Sequence, residues 1–417
     1  MPSPPSLLPG SVSERKIIVL LAAVSFVNIL DFMMVMPLGP DFARALGIPS
    51  SKLGIIGGSY TAAAAVAGLL GALFLDRFDR RTALAVAMLG LVTGTAAGGL
   101  ARGFGSLVAA RLLAGLFGGP ATSVGLSILA DVVPPERRGK ALGAVMGAFS
   151  AASVLGVPAG LELARIGGWR LPFFAVAGLG LVVVLAAIAV MPPLRLHLGR
   201  GDKVVPARPL REFLSDPTVL LALGTTLVVF AGGFSIIPNL SAYLQQNLGY
   251  PRRGLGVLYL VGGIISFVAM RAGGGVVDRR GSVAVTVAGS ALMLTDLVVG
   301  FLFEPPLVPV MAIFVAFMLA NALRSVAINT LSTRVPFPPE RARFMSAQSA
   351  VQHMAAASGA VVSSFLLGER ADGHLTGMKS VALFSLLLAA AVPFLVAAVA
   401  ARVRRREAPA AARAVAG

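Results

Sequence analysis

An acid and a base stand inside apolar runs at matching depth. Asp31 lies in the run 17–38, nine residues before Pro40, and Arg111 lies in the run 106–133, seven residues after Phe104. With the first run read outward and the fourth inward, both groups sit about 10–14 Å from the outer surface at ~1.5 Å per residue. An Arg inside a membrane span costs about 2.5–3.5 kcal/mol on insertion scales, so it must face a partner or water. An acid facing a base at that depth is a candidate proton site, because desolvation favours the neutral acid and a nearby guanidinium favours the carboxylate. A structural ion pair that never titrates is the alternative reading of the same two residues. Ser25, Asn28, Asp31 and Met34 follow one another at i, i+3 and share a helix face, which makes the other three candidates for lining a cavity.

Further polar groups recur in apolar surroundings. Glu162 lies one turn beyond Pro158 and reads either as a second protonatable group at a cavity mouth or as an interfacial acid. In the second half Ser235, Asn239 and Tyr243 recur at i+4, as do Gln348 and Gln352, with His353 adjacent. These side chains either contact a substrate or hydrogen-bond between helices. Asp296 reads as an acid near the outer headgroups, and Arg324 lies deep in a run with no partner that the sequence names. The chain has no cysteine, which excludes disulfides and thiolate metal sites. It shows no phosphate-binding loop, no cluster at metal-ligand spacing and no nucleophile beside a base. An enzyme and a cofactor are therefore not expected, and the proton gradient is the expected energy source.

A charged hairpin at 72–81, Ala-Leu-Phe-Leu-Asp-Arg-Phe-Asp-Arg-Arg, separates two apolar runs. About 200 residues later Gly274-Gly-Val-Val-Asp278-Arg279-Arg280-Gly281 repeats its pattern, and Pro134-Pro-Glu-Arg137 returns as Pro338-Pro-Glu-Arg341. Two matching pairs at nearly one offset indicate an internal duplication, which in a membrane chain points to a transporter.

The elements that must position these groups are apolar helices. The chain has 417 residues, is 57% hydrophobic and only 13% charged, about half the usual charged share. Twelve apolar runs stand out: 17–38, 53–75, 82–100, 106–133, 141–166, 171–191, 218–240, 254–277, 283–303, 307–335, 344–367 and 378–403. Most approach the ~20 residues that cross a bilayer as a helix, and none alternates as barrel strands do. The expected fold is an all-α membrane protein of 12 transmembrane helices in two pseudo-symmetric six-helix bundles, 1–191 and 217–417. A cytoplasmic linker, 192–216, joins them, and its last part, 209–215, reads as a short surface helix. The net charge of +17 does not point to nucleic acid, because its Lys and Arg concentrate on one side of the membrane. That asymmetry favours cytoplasmic termini, and the basic tail at 402–406 fits an anchor against anionic lipid. The first run has no cleavage site after it and reads as a retained helix.

Several of these motifs resemble those of the major facilitator superfamily. The hairpin resembles that family's Gly-x-Leu-x-Asp-Arg-x-Gly-Arg-Arg loop, matched by Asp76, Arg77, Arg80 and Arg81, with Ala72, Phe74 and Asp79 departing from it. The second-half echo keeps Gly274, Asp278, Arg279 and Gly281. Leu107-Val-Ala-Ala-Arg111-Leu-Leu-Ala-Gly115 resembles the family's Leu-x-x-x-Arg-x-x-Gln-Gly element, with Ala114 in place of Gln. Gly156-Val-Pro158-Ala-Gly160, followed by Gly168-Trp-Arg170, is similar to the bacterial drug and sugar efflux branch of its proton antiporters. The resemblance implies a multi-pass inner-membrane exporter, expected as a monomer, that trades protons for a small amphipathic molecule. It implies a bend at Gly156, Pro158 and Gly160, conformational latches at Asp76 and Asp278, and a pair between Arg77 and Asp131. Sugar or metabolite efflux, an uncoupled facilitator and a non-transporting receptor are the alternatives.

Overall fold

The structure, a computed structural model, describes residues 13–134, 137–194, 209–337 and 340–415. The chain divides into two compact units, Met1–Asp202 and Lys203–Gly417. Most of the expected linker lies outside the described residues; its end forms part of the second unit, as set out below.

In the first unit, α1 (Glu14–Val35) begins at Ser13, whose Oγ accepts from the Arg15 amide at 3.3 Å. A short amphipathic helix that the apolar runs did not announce, α2 (Gly39–Leu46), follows and ends on Gly47 at φ 63°. Its Phe42 lies edge-on to Trp169, ring centroids 6.1 Å apart. Then come α3 (Leu53–Phe74), α4 (Arg80–Gly99) and α5 (Phe104–Val132). Asp79, a departure from the family pattern, caps α4 by accepting from the amides of Arg81 and Thr82 at 2.9 and 3.2 Å. The fifth run is α6 (Arg138–Ala151), a π-helical turn (Ala152–Gly156) and α7 (Val157–Gly167) in series. Pro158 has no amide to donate, and its ring crowds the carbonyl four residues back, which a widened turn relieves. The expected bend is therefore a π-bulge just ahead of the proline. α8 (Arg170–Val190) completes the unit, and α1 packs on α5, α6 and α8.

The second unit opens with α9 (Leu210–Ser215) at the end of the linker and α10 (Pro217–Ala242), capped by Asp216 accepting from the Thr218 amide at 2.8 Å. α11 (Leu255–Leu297) is two helical arms that meet at Gly281, where φ is +82°. The charged echo thus closes on a glycine corner instead of a loop. Gly281→Ala places a side chain in that left-handed conformation and is expected to cost about 1–2 kcal/mol, read as a lower unfolding temperature in detergent. α12 (Val310–Ser332), α13 (Arg341–Leu366) and α14 (Met378–Val415) follow. Between the last two, β1 (Gly368–Glu369) and β2 (Leu375–Thr376) pair antiparallel, a small correction to the all-α expectation. Asn247 holds this hairpin through two 2.9–3.0 Å bonds to the Leu375 backbone.

Among the described residues, nine helical segments are long and apolar enough to cross a membrane. One of them, Arg252–Leu302, runs for 51 residues, more than twice a single crossing. Large apolar side chains stand exposed on the helices, among them Phe394 at 77% and Leu387 at 69%, as lipid permits and water does not. The tail at 402–406 continues α14. Arg402, Arg404 and Arg405 are exposed, but Arg406 turns inward to Asp216, with its guanidinium 5.5 Å from the Phe337 ring centre. One of the expected lipid-facing charges thus holds the start of α10 to the basic stretch of α14.

Candidate functional site

The acid and base expected to face each other do so in the first unit. Asp31 on α1 and Arg111 on α5 are 0% and 1% exposed. Arg111 Nη1 donates to both carboxylate oxygens, at 3.0 Å to Oδ1 and 2.9 Å to Oδ2. This is a one-nitrogen contact and not the two-pronged fork of an ideal pair. Arg111 Nε is buried with no hydrogen-bond partner among the described residues.

Two side chains missed in the sequence complete the cluster. Thr95 Oγ1 on α4 lies 2.7 Å from Asp31 Oδ1 and 2.8 Å from the Leu91 carbonyl, two acceptors for one hydroxyl proton. Tyr60 on α3 lays its ring 4.5 Å from the Arg111 guanidinium carbon, a cation–π contact, and stacks on Phe32 at 5.4 Å. A usable signal existed: Tyr60 is one of only four tyrosines, seven residues into α3 as Arg111 is seven into the parallel α5.

Asn28, expected to line a cavity, instead ties three helices together. It accepts from Tyr60 Oη at 2.5 Å, and its Nδ2 donates to the Gly118 carbonyl at 2.7 Å and Thr122 Oγ1 at 2.9 Å. Tyr60→Phe keeps the ring over Arg111 but leaves the Asn28 oxygen without that donor. A loss of about 1–2 kcal/mol is expected, measured by thermal unfolding in detergent. Close approach of the helices depends on glycine. A Cβ on Gly115 would lie within 3.0 Å of the Tyr60 carbonyl oxygen and carbon, and one on Gly119 would lie 2.5 Å from the Ala64 oxygen.

Other candidates separate from this cluster. Ser25 is half-buried on α1, and Met34 is buried. Gly156 and Gly160 pack on Leu30 and Met34 of α1, which gives both glycines a role inside the unit. Glu162 is 55% exposed and pairs with Arg165 at 2.6 Å, outside the buried cluster, because it points off the surface of α7. In the charged hairpin, Asp131 takes Arg80 at 3.2 Å and not Arg77. The reason is position. Arg80 opens α4 and is buried against the end of α5, while Arg77 ends a 3-10 turn and is exposed. Arg81 donates to the Ile188 carbonyl near the end of α8. The side chain of Asp76 lies outside the described ones.

In the second unit, Asp278 and Arg279 are exposed beside Gly274. The polar stripe of α10 and of the π-helical turn that continues it (Tyr243–Asn247) is engaged within the unit. Ser235 donates to the Gly232 carbonyl at 2.8 Å, Asn239 to Ser363 at 2.9 Å, and Tyr243 to the Gly300 carbonyl at 3.3 Å. Gln348 donates to Ser332 at 3.1 Å, while Gln352 and His353 are half-buried on α13. Asp296, read as an interfacial acid, is 2% exposed.

The chain as a whole has parallels among known proteins. The chain is 29% identical over 364 residues to the chloramphenicol resistance protein of Streptomyces lividans, covering 86% of this chain and 89% of that one. It is 27% identical over 348 residues to the purine ribonucleoside efflux pump NepI of Escherichia coli, covering 82% and 85%. A solved bacterial homolog of the human lysosomal transporter Spinster, inward-facing and occupied, matches with a TM-score of 0.72. It is 20% identical, and the match covers 94% of this chain and 98% of that one, a likeness of fold. The family model described as Major Facilitator Superfamily matches residues 21–359, and the chain therefore belongs to that superfamily of membrane transporters.

Proposed function

We propose that the chain is a proton-coupled exporter of small amphipathic organic molecules in the bacterial inner membrane, with Asp31 carrying the coupled proton. The observation that carries the reading is the buried Asp31–Arg111 pair, in which Arg111 keeps a donor without a partner among the described residues. A structural pair gains most from a complete set of hydrogen bonds, and an incomplete one is easier to take apart. Thr95 suits both forms of the acid. It donates to the carboxylate, and it accepts from the protonated acid while giving its own proton to the Leu91 carbonyl.

The proposed architecture is twelve spans in two bundles, 1–191 and 217–417, joined by the linker 192–216. Among the described residues, nine helical segments qualify by length and composition. Reading Arg252–Leu302 as two crossings about Gly281, and adding α6 with α7, and α13, brings the number to twelve. Both termini are proposed to be cytoplasmic, from the distribution of Lys and Arg. There the Arg80–Asp131 pair and the exposed Asp278 would act as latches during alternating access. Without a nucleotide site in the sequence, the proton gradient supplies the energy.

Similarity to a chloramphenicol resistance protein supports a drug-type substrate. Similarity to a purine ribonucleoside efflux pump supports a second reading, export of a metabolite. The deciding experiment follows proton movement in sealed proteoliposomes as candidate drugs, nucleosides and sugars are added, for the wild type and Asp31→Asn. Substrate-driven proton movement that disappears in Asp31→Asn is the expected result. Equal substrate flux in both proteins, without a proton signal in either, would make the chain a facilitator and Asp31 a structural partner of Arg111.

A further inference from the structure

Two buried charges in the second unit belong to no cluster described above. Asp296 on α11 and Arg324 on α12 are each 2% exposed. Among the described residues, Asp296 Oδ2 and Arg324 Nε and Nη2 have no hydrogen-bond partner. Native structures leave few buried polar atoms unpaired, and an unpaired charge at membrane depth is costlier still.

The two groups stand on facing helices. A Cβ on Gly289 of α11 would meet Arg324 Cγ at 3.1 Å and the Ala320 carbonyl at 3.3 Å, and one on Gly300 would meet Ile313 at 2.8 Å. Rising numbers on one helix thus meet falling numbers on the other, so the second arm of α11 and α12 are antiparallel. Gly289, and Gly300 in the π-helical turn that continues α11 (Val298–Leu302), mark the face turned to α12. Asp296 lies between them, seven residues past Gly289, nearly two turns on and so on that same face, about 10 Å along the axis. Side chains lean toward the N-terminus of their own helix. In an antiparallel pair, Asp296 and Arg324 therefore lean toward each other from the two ends of that gap.

Among the described residues, the other charged or titratable groups on the helices at this interface are engaged or exposed. α12 carries no titratable side chain besides Arg324. Tyr259, in the first arm of α11, bonds Ser241 at 2.9 Å, and Tyr243 bonds the Gly300 carbonyl. Lys379, at the start of α14, lies 3.9 Å from Glu304, and both are largely exposed.

We infer that Asp296 is a second proton-carrying group, whose carboxylate, when formed, is drawn to Arg324 by a repacking of α11 against α12. Loss of the proton to water turns the carboxylic acid into a carboxylate, and the ion pair forms; reprotonation breaks it. The separated arrangement seen here suits the neutral acid. The inference rests on the proton-driven reading above and extends it to the second unit. It requires only a change of rotamer with a small slide of two packed helices, a motion that such interfaces make.

The test uses a hydrophobic carbodiimide, which modifies protonated carboxyls in apolar surroundings. Purified full-length protein is treated across about pH 5–9, and modification of Asp296 is read by peptide mass spectrometry; the chain has no cysteine to compete. Modification is expected to fall as pH rises. In Arg324→Met the fall should move upward by about one pH unit or more, a tenfold change in proton concentration, because no guanidinium then draws the carboxylate. An unchanged profile in that variant, or an Asp296 never modified, overturns the proposal. Should Arg324→Met fail to fold, Asp296→Glu, which reaches one methylene nearer the guanidinium, should move the fall downward; no movement there overturns it equally. The profile in Asp31→Asn should match the wild type, so a failure of proton-coupled transport is recognised separately from a failure of this couple.

Discussion

Arg111→Leu is expected to destabilise the first unit by about 3–5 kcal/mol, the loss typical of a buried charge stripped of its partner. Asp31 is fully buried, and Arg111 is the cation that contacts its carboxylate. Leucine fills part of the space but supplies no charge. The stranded acid must take up a proton or draw water into the helix packing. The Tyr60 face loses its cation as well. The measurement is thermal unfolding of detergent-solubilised protein, with the yield of monodisperse material as a second readout. The double variant Asp31→Asn with Arg111→Leu should recover most of the loss, since it removes both charges together. The resulting non-additivity measures the pair directly. If Arg111→Leu unfolds no more readily than Tyr60→Phe, the carboxylate is already hydrated, and the dry ion pair is not what holds α1 to α5.

The other large effect is expected from Gly115→Leu. A Cβ there would lie within 3.0 Å of the carbonyl oxygen and carbon of Tyr60. These are backbone atoms of a packed helix, so the obstacle cannot rotate away. α3 and α5 must move apart, and the separation pulls on the 2.5 Å Tyr60–Asn28 bond and the 2.7 Å Asn28–Gly118 bond together. A loss of at least about 3 kcal/mol is expected, at the severe end of overpacking. Small residues are what allow membrane helices this close approach, since lipid offers no hydrophobic force to draw them together. Gly105→Ala, in the first turn of the same α5, is the control. Nothing lies within 4 Å of its Cβ position, and better helix propensity should leave stability equal or raise it by up to about 1 kcal/mol. Matching unfolding temperatures for the two variants would show that α3 and α5 are not locked at Gly115. The second unit repeats the device, with Gly359 of α13 against the Ala231 carbonyl of α10.

The membrane character of this chain, the approximate helix ends and the level of Asp31 with Arg111 were all legible in the residues. A bilayer sets how long an apolar run must be and makes every charge inside it conspicuous. A fixed rise per residue then turns sequence position into depth. The break between the runs 254–277 and 283–303 also marked a reversal around the charged echo, although two arms meeting at Gly281 without a loop were not foreseen. Rotation of each helix about its axis was not legible, because it is set by neighbours distant in the sequence. Tertiary structure alone gave Asp131 to Arg80 instead of Arg77, set Thr95 beside the ion pair, and turned Glu162 outward to Arg165. It also moved Asp296 from an expected headgroup position to the buried face shared with Arg324. Depth follows from counting along one chain segment, whereas a partner is chosen by which small residues let two helix faces meet.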